Sequence, residues 1–167
     1  MTFEEFNQLE KEEVQRELSK CCGSSTWVEV VASLHPYNDK DVLFALASQL
    51  WLKCSRNDWL EAFTHHPKIG DLESLKKRFG PTKEWSEGEQ VSVEAASQET
   101  LLELAEYNQR YEDKFEFIFI VCATGKSADE MLEMLKKRIN NNPEKEIKIA
   151  AQEQREIMIL RLEKLLS

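Results

Sequence analysis

Only five glycines and four prolines occur in 167 residues, and that scarcity of turn punctuation commits the chain to long elements. The intervening stretches are rich in Leu, Glu, Lys and Ala, the residues that lose least on entering a helix. The expected fold class is therefore all-α, a single-domain bundle of about eight helices spanning residues 1–167, counted from capping and periodicity signals.

Those signals recur along the chain. Thr2-Phe3-Glu4-Glu5 has the spacing of a capping box and opens a first helix. A second pattern runs from about Lys11 to Cys22 and stops at Gly23, a suitable residue just past a helix end. A third starts at Ser25-Thr26, carries Trp27, Val30, Val31 and Leu34, and ends before Pro36. Asp39 to Cys54 is apolar nearly all round, which suggests a central, buried helix. Asn57 to Phe63 forms a short helix leading into His65-His66-Pro67, and Asp71 caps another over Leu72 to Phe79.

Ser86-Glu87-Gly88-Glu89 again has capping-box spacing. Ser97 to Lys114 carries a stripe of Leu101, Leu104, Ala105, Asn108 and Tyr111. Ser127-Ala128-Asp129-Glu130 opens a helix to about Asn140. Pro143 at N1 opens the last, with Ile147, Ala150, Ile157, Leu160 and Leu165 turned inward. Phe115 to Ala123 has aromatic and β-branched content without partner strands, so it is expected to be a buried, irregular or partly helical connector.

Composition narrows the function classes. A net charge of −9 argues against a nucleic-acid partner, which would call for a basic face. No run approaches the roughly 18 apolar residues of a membrane span; the stretch Ile118 to Ala123 is far shorter. The acidic N-terminus lacks a signal-peptide pattern, so a cytoplasmic protein is expected. Cys21, Cys22, Cys54 and Cys122 form no Cys-x-x-Cys, and buried or half-buried thiols are the expected state.

Three segments could carry chemistry. His65-His66-Pro67-Lys68-Ile69-Gly70-Asp71 places a His before a proline, which pushes His66 out of helical geometry. Gly70 would permit a tight turn there. His can exchange a proton near neutral pH, so the loop suits an active site as well as an ordinary surface turn. His35, before Pro36, reads as a capping or surface residue. Trp85 to Gln90 sets Glu89 and the Gln90 amide side by side, a pairing that suits a ligand rich in N–H and C=O groups. Phe119, Ile120, Val121, Cys122 and Ala123, if not helical, have backbone groups that a ligand could satisfy; a plain core segment is the other reading.

Taken in order, these pieces resemble the OHCU decarboxylase family (2-oxo-4-hydroxy-4-carboxy-5-ureidoimidazoline decarboxylase). The resemblance rests on His66-Pro67-x-Ile69-Gly70 and Ser86-x-x-Glu89-Gln90. It extends through Asn108-x-x-Tyr111-x-x-Lys114-Phe115-x-Phe117-x-Phe119-Ile120-Val121-Cys122-Ala123 and ends on Arg161, covering about residues 60–162.

The resemblance implies an all-α fold, often a homodimer, with no metal and no organic cofactor. It also implies a carboxy-lyase acting at the last step from urate to (S)-allantoin. On it, His66 is the catalytic histidine and Glu89 orients His66 or holds ureido N–H groups. Pro67, Ser86, Glu87, Gly88, Gln90, Phe119, Ile120, Val121, Cys122, Ala123 and Arg161 fall at substrate-binding positions.

Three features depart from the family pattern. Val91-Ser92 stands where Ala-Gly often follows the Glu-Gln pair, Glu116 stands where Gly is usual, and His65 is an extra histidine. The competing readings are a related ureide or imidazoline lyase with a drifted substrate, a non-enzymatic helical module that binds another protein, and a metal-dependent hydrolase using His65, His66 and Asp71. The last ranks low, because adjacent histidines point to different sides and there is no His-x-x-x-His.

Overall fold

The computed structural model describes residues 1–68, 70–80 and 97–167. They form nine helices, in keeping with the expected bundle of about eight. These are α1 (Phe3–Phe6), α2 (Lys11–Cys21), α3 (Ser25–Ser33), α4 (Lys40–Lys53), α5 (Arg56–Thr64), α6 (Leu72–Phe79), α7 (Gln98–Phe115), α8 (Ala128–Arg138) and α9 (Pro143–Leu165). No strand occurs among the described residues. Seven of these helices open on a Thr, Ser or Asp whose side chain accepts a backbone N–H of the first turn: Thr2, Ser24, Asp39, Ser55, Asp71, Ser97 and Ser127. The helix expected from Ser86 lies outside the described residues.

The chain separates into two compact units. The first comprises Met1–His66, Ile120–Cys122 and Ile147–Ser167; the second comprises Pro67–Phe119 and Ala123–Glu146. In the first unit α3 packs against α2, α4 and α5. Its core holds Phe6, Leu18, Trp27, Leu43, Trp51, Phe63, Met158 and Leu162, all 0 or 1% exposed. Buried indoles need acceptors, and main-chain carbonyls provide them. Trp27 Nε1 donates to Ala47 O at 2.9 Å, and Trp51 Nε1 donates to Ala151 O at 2.8 Å, which ties α4 to α9.

Three expectations need correction here. Helix α4 is not buried all round: only Leu43, Ala47 and Trp51, spaced four apart, are fully enclosed, while Val42 and Leu52 are exposed. The inward stripe of α9 is Ile147, Ala150, Ala151, Gln154, Met158 and Leu162, whereas Ile157, Leu160 and Leu165 are only half-buried. Gly23 does not adopt a left-handed cap, since Cys22 ends α2 in extended geometry. A Cβ at Gly23 would overlap the His65 ring, so close approach is what requires glycine there.

In the second unit α7 packs against α6 and α8. The pattern Asn108-x-x-Tyr111-x-x-Lys114 has a structural use in this unit. Tyr111 Oη donates to Glu146 Oε1 at 2.6 Å, and Arg138 Nε donates to the same oxygen at 2.7 Å. Asn141 Nδ2 donates to Glu146 Oε2 at 2.9 Å. Glu146 is fully buried and Arg138 nearly so; a buried charge of this kind is tolerable only when paired and hydrogen-bonded. Lys114 Nζ donates to the carbonyls of Ile139 and Asn141 beyond the end of α8. Gly70 has no left-handed φ; a Cβ there would sit 3.1 Å from the Asn108 Cβ, so its use is close packing.

Helix α7 stops at Phe115, and the chain is irregular from Glu116 through Ala123, as expected of the connector. Glu116 is the cap, with φ 63° and ψ 21°, in left-handed geometry. The family's usual glycine at this position thereby has a physical reason, because an L side chain costs energy in that region. Phe117 and Ile120 are buried, and the rest of 118–123 is half-buried. Phe115, Phe117 and Phe119 ring Tyr111 at centroid distances of 4.6, 5.8 and 5.1 Å.

Candidate active site

His66 owes its position to how α5 begins and ends. Ser55 and Asp58 form a reciprocal capping box at the start of that helix. At the other end the His65 N–H still bonds to Ala62 O and the His66 N–H to Phe63 O, at 3.1 and 3.3 Å. Pro67 carries no N–H, so the ladder cannot continue. His66 is left one residue beyond the C-cap, His65, of a well-anchored helix. Pro67 itself is exposed.

The His66 ring meets α9. Its Nε2 is hydrogen-bonded to Oε1 of Gln154, a residue 0% exposed in the middle of the apolar stripe of α9. A bond to a carbonyl oxygen makes Nε2 the protonated nitrogen and leaves the lone pair on Nδ1. The other half of that amide is unusual. Gln154 Nε2 is buried and has no hydrogen-bond partner among the described residues. An unmet buried donor costs about 1–3 kcal/mol, a penalty that a ligand oxygen would relieve.

Burial is the main force on His66, and it pushes the imidazole pKa below its ordinary value. The bond to Gln154 opposes that shift, while the positive charge of Arg161 and the neighbouring His65 add to it. The ring is therefore neutral at pH 7, the form a proton acceptor needs. Arg161 lies seven residues after Gln154, on the same side of α9 and about 10 Å along its axis. It is half-buried, and its Nη1 donates to Cys21 O at 3.4 Å.

Of the connector, Ile120, Val121 and Cys122 share the first unit with His66 and Arg161. Cys122 N–H donates to Glu153 Oε2 at 2.8 Å. Thus successive residues of α9 hold the two halves of the candidate site, Glu153 the connector and Gln154 the histidine. Phe119 and Ala123 belong to the second unit, where Phe119 lies under the Arg138 guanidinium at 4.5 Å. Ser86, Glu87, Gly88, Glu89 and Gln90, with Val91 and Ser92, lie outside the described residues.

Gln154 and Glu153 were absent from the candidates drawn from the sequence. A signal existed for Gln154: it is a polar residue on the buried stripe of α9, one heptad before Arg161. Glu153 carried none, because a glutamate on a helix is ordinarily solvated.

Other histidines and cysteines have separate surroundings. His35 Nε2 is bonded to Phe6 O at 3.1 Å, and its ring stacks edge-on against Phe6. His65 is exposed and lines a surface groove of about 670 Å3 together with Glu12, Arg16, Glu29 and Glu61. Asp71 is committed to Ser74, accepting from its N–H at 2.9 Å and its hydroxyl at 2.8 Å. Among the described residues no three His, Cys, Asp or Glu side chains converge as metal ligands would. Burial raises the Cys21, Cys22 and Cys54 thiols to about 11, 12 and 11, so all three are protonated at neutral pH and poorly nucleophilic.

Residues 7–163 match the model of the OHCU decarboxylase family. The chain belongs to the OHCU decarboxylase family. It is 38% identical over 148 residues to the uric acid degradation bifunctional protein of Arabidopsis thaliana, covering 88% of this chain and 45% of that protein. It is 29% identical to the 2-oxo-4-hydroxy-4-carboxy-5-ureidoimidazoline decarboxylase of Halalkalicoccus jeotgali, covering 99% of this chain and 92% of that one.

Among solved structures, an OHCU decarboxylase crystallised in the presence of (S)-allantoin superposes with a TM-score of 0.72 at 36% identity, covering 95% of this chain and 99% of that one. An (S)-allantoin synthase shares the fold, with a TM-score of 0.74 at 17% identity over 54% of its length. The chain spans less than half the length of the bifunctional relatives, 45% of the Arabidopsis protein and 32% of one from Bacillus sp. strain TB-90. Membership of the OHCU decarboxylase family accounts for the all-α fold.

Proposed function

We propose that this chain decarboxylates 2-oxo-4-hydroxy-4-carboxy-5-ureidoimidazoline to (S)-allantoin, the last step of urate degradation. The observation that carries this reading is the match, over nearly the full length of both chains, to an OHCU decarboxylase solved with (S)-allantoin. The 7–163 span of the family match supports treating both units as one functional domain.

The chemistry suits a site built only from side chains. The substrate carries its carboxylate on a carbon beside a ring C=N. When the carbon–carboxylate bond breaks and CO2 leaves, its electron pair flows toward the ring nitrogen, so the substrate supplies its own electron sink. The protein must hold the carboxylate out of the ring plane, manage one proton, and deliver a proton to one face.

Neutral His66 performs the proton transfer, a contribution of about 10²–10⁴-fold. Arg161 faces the anionic substrate. Glu89 orients His66 or holds ureido N–H groups, Ser86 and Gln90 hydrogen-bond the ureido and ring amides, and Pro67, Glu87 and Gly88 are further substrate-binding positions. Backbone groups of Phe119 to Ala123 bind the amide edges of the ring, with the Cys122 N–H held by Glu153. Arg161 and the amide donor of Gln154, unpartnered among the described residues, support this assignment, both being suited to an anionic, oxygen-rich ligand.

Pairing into a homodimer is carried over from the resemblance, and a cytoplasmic setting is part of the same proposal. No described helix is long and apolar enough to cross a membrane. The test is formation of optically active (S)-allantoin from freshly generated substrate. The purified chain should accelerate it, His66→Ala should abolish most of the acceleration, and Glu89→Gln should remove most of it. Cys122→Ser should leave it intact. Undiminished activity in His66→Ala would end this reading.

A further inference from the structure

We propose that Gln154 is a positioning residue that fixes the tautomer of His66 through its amide oxygen and presents its amide N–H2 to an oxygen of the ligand. This deepens the decarboxylase reading and rests on it for the ligand's chemistry. Its geometric basis stands apart: a fully buried amide on α9, one end bonded to the His66 ring and the other a buried donor without a partner among the described residues.

The amide is asymmetric in its duties. Its oxygen accepts from His66 Nε2–H and so reserves the Nδ1 lone pair for proton transfer. Its nitrogen can only donate, so the ligand atom it meets must be an acceptor, a carboxylate or carbonyl oxygen. Its neighbours on the buried stripe, Ala150, Ala151 and Met158, are all apolar. A glutamine there carries two polar groups into that core, and only one has a partner among the described residues. Among the described residues, the charged and titratable groups facing His66 are Arg161 on α9 and His65 at the end of α5; Gln154 is the neutral partner. Replacing it by Glu would add a negative charge against the ring and raise the pH at which His66 protonates.

The experiment reads the tautomer and the pH profile together. Protein labelled with 15N at histidine is compared for wild type, Gln154→Leu and Gln154→Glu, with His66 assigned by its loss in His66→Ala. Wild type should show a predominantly Nε2-protonated His66. Gln154→Leu should shift the ring toward the mixed tautomer of free imidazole and lower kcat/KM by roughly 10- to 100-fold. Gln154→Glu should keep the Nε2–H tautomer, move the acidic limb of the pH profile upward, and raise KM because its carboxylate has no N–H to donate.

A Gln154→Leu protein with the wild-type tautomer and an unmoved acidic limb would overturn the proposal, even if slower. If Gln154→Leu does not fold, Gln154→Glu decides alone: a pH profile and KM equal to wild type would overturn it. An inactive wild type with the expected tautomer pattern would defeat the decarboxylase reading and leave the His66–Gln154 relation standing.

Discussion

Glu153 Oε2 accepts the backbone N–H of Cys122 at 2.8 Å, so a helix side chain holds an irregular connector in place. Removing that acceptor in Glu153→Ala takes away the bond and should cost about 1–3 kcal/mol. Glu153→Gln keeps a carbonyl acceptor and should cost under about 1 kcal/mol. Urea unfolding of the two variants checks this ordering. If the connector lines the substrate, kcat/KM should fall more in Glu153→Ala than its stability loss accounts for at working temperature.

Glu116 occupies left-handed backbone at the end of α7. Relief of that geometry is worth about 1–2 kcal/mol per L residue, offset by about 0.5–1 kcal/mol of extra chain entropy for glycine. Glu116→Gly should therefore raise stability by up to about 1 kcal/mol, measured as a higher Tm. A lower Tm would contradict the left-handed cap.

The His65–His66 turn approaches Gly23 with no room for a side chain. Gly23→Ala forces the ring of His65 or the helix end to move and should cost about 1–3 kcal/mol by overpacking. Gly70→Ala, where the added atom would lie 3.1 Å from Asn108 Cβ, should be the milder change. Thermal unfolding of both variants compares them directly.

His66 has a folded-state pKa below its ordinary value of 6.5, chiefly through burial. The unfolded chain therefore binds this proton more readily than the folded one. The contribution to stability is full above pH 6.5 and is lost as pH falls from there through the depressed folded value. An NMR titration should find the His66 midpoint below 6.5, and activity should decline along the same acidic limb. In His66→Phe that part of the stability loss should vanish.

Tyr111, Arg138 and Glu146 share one buried network. Arg138→Met removes a cation that contacts the buried Glu146 and should cost about 3–5 kcal/mol. Tyr111→Phe removes one hydrogen bond and should cost about 1–3 kcal/mol. Because the pair is coupled through one carboxylate oxygen, the double variant should cost less than the two added together.

Helix type and placement were legible in the amino-acid sequence because they depend on local physics. A capping serine such as Ser127, a proline at N1 such as Pro143, and a 3.6-residue stripe such as Leu101–Leu104–Tyr111 act within a turn or two of themselves. His66 was legible for the same reason, since Pro67 next to it ends the helix. The tertiary structure alone decided that α4 buries one stripe, that Gly23 serves His65, and that Tyr111 and Lys114 hold structure together. It alone brought Gln154 to His66, 88 residues away along the chain, and Glu153 to Cys122. Nothing in the local propensity of a glutamine on a helix says which distant group its amide meets. That is settled only when apolar stripes from remote helices close on one another and carry the polar residue between them into the same core.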